Sequence, residues 1–239
     1  MTEILFVHGA LVRDGAWWWQ PVADLVETTT GVRSRAIALP SCGEGTAADG
    51  SSGLAVDAAA LRRELDAIEG DALVVGHSYG GTVIADGADH PAAKRLLYIT
   101  SYLPEVGTSQ ADIMSNETDP VAIAPGEDGT LHLDGYDEDL FATRFLQDVT
   151  DEWVRAGAWG RVTDQAASAF ITPTTNAAWQ GKDSTYLVCT DDQSTSVALQ
   201  RHHAARATRS IDLATGHHPF LSQPDLVAAQ VTEILHTMR

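Results

Sequence analysis

A chain of 239 residues with a formal net charge of −18 is long enough to bury roughly 70–75% of its unfolded surface around one core. That charge repels phosphate backbones and anionic lipid surfaces, so neither nucleic acid nor a membrane is an expected partner. The acidic residues are scattered rather than blocked, which describes a solvated surface and not an acidic tail.

The apolar start Thr2 to Val7 is too short for a signal peptide and lacks its basic residues, and no later stretch is long enough to cross a bilayer. A cytoplasmic protein is expected. Short apolar runs then alternate with segments of helical period, the pattern of a parallel sheet with helices on both faces. The strand Ile4–Val7 is followed by a helix over Ala16–Val26, a strand Arg35–Leu39 stopped by Pro40, and an Ala/Leu-rich helix over Ser51–Ile68. Next come the strand Ala72–Val75, a helix from Ser78 to about Asp89, and the strand Leu96–Ile99. Thr185–Cys189, Ser194–Ala205, Arg209–Leu213 and Pro224–His236 read as strand, helix, strand and helix.

Between Ser101 and Lys182 the rhythm breaks into acidic turns, prolines and scattered aromatics with no convincing buried strand. Residues 102–182 are therefore expected to be a cap inserted into a single domain whose core is 1–101 and 183–239. Such an insertion covers the C-terminal edge of the sheet, where open α/β sheets bind their ligands. Phe141, Phe145, Trp153, Trp159, Phe170 and Trp179 would divide between packing the cap and lining a pocket. Trp17-Trp18-Trp19 would turn in different directions on their helix, with some packing inward.

Gly76-His77-Ser78-Tyr79-Gly80 is a G-x-S-x-G sequence, weak evidence by itself in a chain with 20 glycines. Its setting between an apolar strand and a helix-compatible segment is that of a nucleophile elbow, where a strained turn presents a serine at a helix N-terminus. A serine hydroxyl needs a histidine to take its proton and an acid to orient that histidine. In the chain order of this arrangement, Asp191 and Asp192 follow the strand ending at Cys189, and His217 and His218 follow the strand ending at Leu213. Spacing alone leaves both choices open. His8-Gly9-Ala10, after the first strand, would supply an oxyanion donor, the N–H of Ala10, to act with the N–H of Tyr79. His8 itself reads as a residue that holds the loop. Cys42 and Cys189 show neither a disulfide framework nor a metal-type spacing, and the pairs His202-His203 and His217-His218 lack a third ligand. Neither metal nor cofactor is expected.

The segments Phe6–Ala10, Gly15–Trp17, Val75–Gly81, Tyr102–Pro104 and Gly216–Pro224 together resemble the small α/β-hydrolase esterases that include plant methylesterases, plant hydroxynitrile lyases and related bacterial esterases. The resemblance covers nearly the whole chain. It implies the α/β-hydrolase fold, a mostly parallel sheet of about six strands with an inserted cap. It also implies the choice of Asp192 over Asp191 and His217 over His218, giving Ser78, His217 and Asp192 as catalytic residues. The loop Ala10–Gly15 is longer here than in the plant members. The lyase members carry threonine where Gly9 stands and lysine where His218 stands, so the resemblance points to hydrolysis of a small apolar or aromatic ester, methyl esters and carbamates included. A carbon–carbon lyase and a ligand-binding protein on the same scaffold are the rivals.

Overall fold

The computed structural model describes residues 2–45 and 52–238. Its frame is a six-stranded sheet in the order β2-β1-β3-β4-β8-β9, all parallel. These strands are β1 (Thr2–Val7), β2 (Ser34–Ala36), β3 (Asp71–His77), β4 (Ala93–Ile99), β8 (Asp183–Cys189) and β9 (Arg209–Leu213). Strands buried on both faces read as continuous apolar runs, because each alternate side chain meets a different layer of helices. Ile4 and Phe6 face one layer with Leu73 and Val75, while Leu5 and Val7 face the other with Val74.

On the first face α1 (Gly15–Thr30) packs beside the last helix, Pro224–Thr237. Trp18 and Trp19 are both buried there, and Trp19 stacks on Phe6 with ring centroids 4.6 Å apart. Trp17 is half-buried under the guanidinium of Arg161, 4.2 Å from its ring centroid. On the second face α2 (Leu54–Asp66) packs against α3 (Gly80–Gly87). The helix α8 (Val197–Ala204) joins β8 to β9. Among the described residues, no helix is long and apolar enough to cross a membrane.

Several boundaries differ from the sequence reading. The second strand ends at Ala36 rather than Leu39: Ile37 N–H still donates to Phe6 O at 2.8 Å, but the chain then turns at Pro40–Cys42. The helix expected from Ser51 begins at Leu54, after Gly53 at φ 112°, and Ser51 lies outside the described residues. The helix expected from Ser78 begins at Gly80, because Ser78 itself is left-handed at φ 50°.

The segment between β4 and β8 carries α4 (Gln110–Met114), α5 (Glu138–Phe145), α6 (Glu152–Trp159) and α7 (Ser168–Ile171). It also holds a three-stranded antiparallel sheet, β5 (Ile123–Pro125), β6 (Thr130–Leu133) and β7 (Gln165–Ala166). Strands this short and mostly half-exposed leave no apolar run for periodicity to detect. Residues 11–13 are zipped onto this segment: Val12 bridges Val162, Thr163 N–H donates to Leu11 O at 2.9 Å, and Arg13 N–H donates to Arg161 O at 3.0 Å.

Candidate active site

The strand order reverses direction at β1, with β2 on one side and β3 on the other, and ligand sites of open α/β sheets lie above such a switch point. Ser78 sits there, between the end of β3 and the start of α3. Its φ of 50° costs on the order of 1–2 kcal/mol for a residue with a side chain. The turn is tight enough that its glycines have no room for substituents. A Cβ on Gly80 would lie 2.4 Å from Val7 O, and one on Gly76 would lie 2.4 Å from Ile84 Cδ1. Ser101 Oγ donates to Ser78 O at 2.6 Å and pins the turn from the end of β4.

Asp192 and His217 emerge from the ends of β8 and β9. His217 Nδ1 donates to Asp192 Oδ2 at 2.8 Å, with both side chains buried, which leaves Nε2 as the imidazole nitrogen free for proton transfer. Asp192 Oδ1 accepts the N–H groups of Ser194 at 2.7 Å and Thr195 at 3.0 Å. Its Oδ2 also accepts from Thr100 Oγ1 at 2.5 Å and Gln200 Nε2 at 3.4 Å. Burial pushes this carboxyl up, but the charge and hydrogen bond of His217 and the donors Thr100 and Ser194 outweigh it and hold it below the usual aspartate value. Asp191 is exposed. His218 instead turns Nδ1 to Phe145 O at 3.0 Å, so the acid and histidine that meet are Asp192 and His217.

The loop after β1 completes the arrangement. The N–H groups of Ala10 and Tyr79 donate to no acceptor among the described residues, whereas Leu11 N–H is taken by Gln165 Oε1 at 2.8 Å. His8 holds the loop through Nδ1 to Gly9 O at 2.9 Å and Nε2 to Glu44 Oε2 at 2.7 Å. Glu44 Oε1 in turn accepts Asp14 N–H at 2.6 Å and so closes the long Ala10–Gly15 loop.

Ser78, Tyr79, Ala10 and His217 open into one pocket enclosing about 710 Å³ with its mouth. The segment between β4 and β8 supplies most of its apolar wall, through Met114, Val121, Ile123, Leu133, Phe141, Phe145 and Phe170. Trp159 packs behind Phe141, Trp179 Nε1 donates to Pro104 O at 2.8 Å, and Trp153 is 88% exposed. Two further imidazoles reach the pocket. Burial, then the nearby charge of His217, drives His77 well below the ordinary histidine value and His218 down to about 3, so both are neutral. Among the described residues no three histidine, cysteine or acidic side chains gather closely enough to hold a metal.

Sequence reasoning missed Thr100, Gln200, Glu44 and Gln165. Each is an ordinary polar residue whose partner lies elsewhere in the chain, and no motif marks it.

A model of the alpha/beta hydrolase family matches residues 4–230. An alpha/beta hydrolase of Aspergillus novofumigatus, nvfD, is 31% identical over 176 residues, 67% of this chain and 68% of that protein. Among solved structures, a pyrethroid hydrolase from Sphingobium faniae JZ-2 superposes with a TM-score of 0.80 at 23% identity, covering 98% of this chain and 97% of the other. A methylesterase from Arabidopsis superposes with a TM-score of 0.75 at 15% identity, covering 99% and 100%. These two structures establish likeness of fold.

Proposed function

The chain belongs to the α/β-hydrolase family, and on that footing we propose that it is a serine hydrolase cleaving a small, largely apolar or aromatic carboxylic ester through an acyl-enzyme on Ser78. The observation that carries this reading is the 2.8 Å bond from His217 Nδ1 to Asp192 Oδ2 in the pocket that also holds the elbow serine. Asp192 fixes the imidazole in the tautomer whose Nε2 can accept a proton. His217 takes the proton of Ser78 Oγ as that oxygen attacks the carbonyl, and the N–H groups of Ala10 and Tyr79 hold the oxyanion. The same imidazole passes the proton to the departing alkoxide. Water, deprotonated by His217, then releases the acid and frees Ser78.

The apolar cap walls favour a compact hydrocarbon or aryl group on the acyl or alkoxy side. A methylesterase shares the fold, which is consistent with ester chemistry on this scaffold. Carbonyl substrates of other kinds, carbamates, amides and lactones, call on the same machinery. The lyase alternative is disfavoured at two positions. A Cβ on Gly9 would come within 3.1 Å of His77 Nδ1 and 3.3 Å of Ser78 Cβ, so a threonine there crowds the elbow. His218 is a neutral imidazole rather than a cation able to receive cyanide.

Hydrolysis of a panel of methyl, short-chain and aryl esters, with a carbamate and a cyanohydrin included, tests the proposal. Ester turnover by the wild type that disappears in a folded Ser78→Ala variant is the expected result. Turnover that survives the substitution, or cyanohydrin cleavage without ester hydrolysis, overturns it.

A further inference from the structure

Beneath the two proposed oxyanion donors runs one buried chain of hydrogen bonds that passes through the cap. Leu11 N–H donates to Gln165 Oε1 at 2.8 Å. Gln165 Nε2 donates to Ser41 Oγ at 2.9 Å, and Ser41 Oγ donates to Asp57 Oδ2 at 2.5 Å. Tyr79 OH donates to that same oxygen at 2.8 Å, and Ser41 N–H donates to Asp57 Oδ1 at 3.0 Å. Gln165, Ser41, Asp57 and Tyr79 are all buried.

The directions of the links from Leu11 to Ser41 follow from one fixed donor. A backbone N–H can only donate, so the Gln165 amide must turn its oxygen to Leu11 and its nitrogen to Ser41. That leaves the Ser41 proton for Asp57. The chain begins at the residue after Ala10 and ends on the side chain of Tyr79, so it ties the immediate neighbour of one proposed oxyanion donor to the residue that carries the other. Leu11 is also held left-handed, at φ 59°, a conformation that leucine avoids unless its surroundings impose it. The peptide between Ala10 and Leu11 is thereby oriented by a side chain of β7, a strand of the cap.

We propose that Gln165 is a positioning residue that sets the spacing of the Ala10 and Tyr79 N–H groups, so that the cap helps to build the oxyanion hole as well as to wall the pocket. This rests on the serine-hydrolase reading. Uniform loosening of the pocket would weaken substrate and transition state alike. Misplaced oxyanion donors weaken only the transition state, so the effect falls on kcat.

The test uses the full chain and the ester of the panel that it hydrolyses fastest. Gln165→Met keeps the length of the side chain and removes both hydrogen bonds, and Ser41→Ala cuts the chain one link further on. The expected result for Gln165→Met is a kcat lower by about 10- to 100-fold with KM nearly unchanged. Affinity for an aryl trifluoromethyl ketone, whose serine adduct carries an oxyanion, should fall in parallel, while affinity for the matching unfluorinated ketone is retained. Ser41→Ala should show the same pattern more weakly, and it carries the test if Gln165→Met does not fold. Wild-type kcat and inhibitor affinity in the folded variants, with Ser78→Ala inactive, overturn this proposal alone. An active Ser78→Ala overturns the reading on which it rests.

Discussion

The hydroxyl of Thr100 donates to Oδ2 of Asp192 at 2.5 Å, the oxygen that also receives His217 Nδ1. A threonine at the end of β4 thus supports an acid at the end of β8. Thr100→Val keeps the shape of the side chain and withdraws one donor from a buried carboxylate, which costs about 1.5–3 kcal/mol. The carboxyl of Asp192 is held below the ordinary value in the fold, so its contribution to stability is complete above the unfolded-state pKa, about 3.9, and is lost as pH falls through the lower folded value. In Thr100→Val the folded value should move up toward the unfolded one, so that loss should be smaller and complete at higher pH, and kcat should fall several-fold. Urea denaturation at neutral and acid pH, with kinetics alongside, measures both. Unchanged stability and turnover would remove Thr100 from the candidate site.

Glu44 closes the long loop by accepting from His8 and from Asp14 N–H. Glu44→Ala leaves Nε2 of the buried His8 and the backbone N–H of Asp14 without this partner, and a loss of about 1–3 kcal/mol is expected. The loop that carries Ala10 should loosen as well. Amide hydrogen exchange over residues 8–15 checks this directly: faster exchange there than in β4 is the expected outcome, and unaltered protection would show that the zipper to residues 161–163 suffices.

The pH dependence of stability has a second source in buried neutral histidines. Burial, then the charge of His217, brings His218 down to about 3, and burial, then Arg206, does the same for His203. Above about pH 6.5 both residues are neutral in the folded and unfolded chains, and their contribution is at its plateau. Below that value only the unfolded chain takes up these protons, so stability falls, by up to about 1.4 kcal/mol per pH unit for each histidine, until the folded values are reached. Chemical denaturation between pH 7 and 4 should therefore slope downward with acid. His218→Phe should flatten that slope by close to one proton, and an unchanged slope would show that His218 is protonated in the fold.

The alternation of apolar runs with helical segments was enough to read the parallel sheet and its helices, because strands buried on both faces must be apolar throughout. The elbow was legible for a similarly local reason: the turn around Ser78 needs glycines where a Cβ would strike Val7 O or Ile84, and they stand in the sequence as a motif. The placement of an acid after β8 and a histidine after β9 followed from the strands. Choosing between neighbours did not, since Asp191 and Asp192 share the same spacing and differ in which way the loop turns them. One is exposed, and the other meets His217, Thr100 and two backbone N–H groups. The small antiparallel sheet between β4 and β8 and the partners Thr100, Glu44 and Gln165 were decided by tertiary structure alone. A hydrogen bond such as that between Leu11 and Gln165, 154 positions apart, has no period and no local motif, and it exists only once packing has excluded water from both groups and left each the other as its partner.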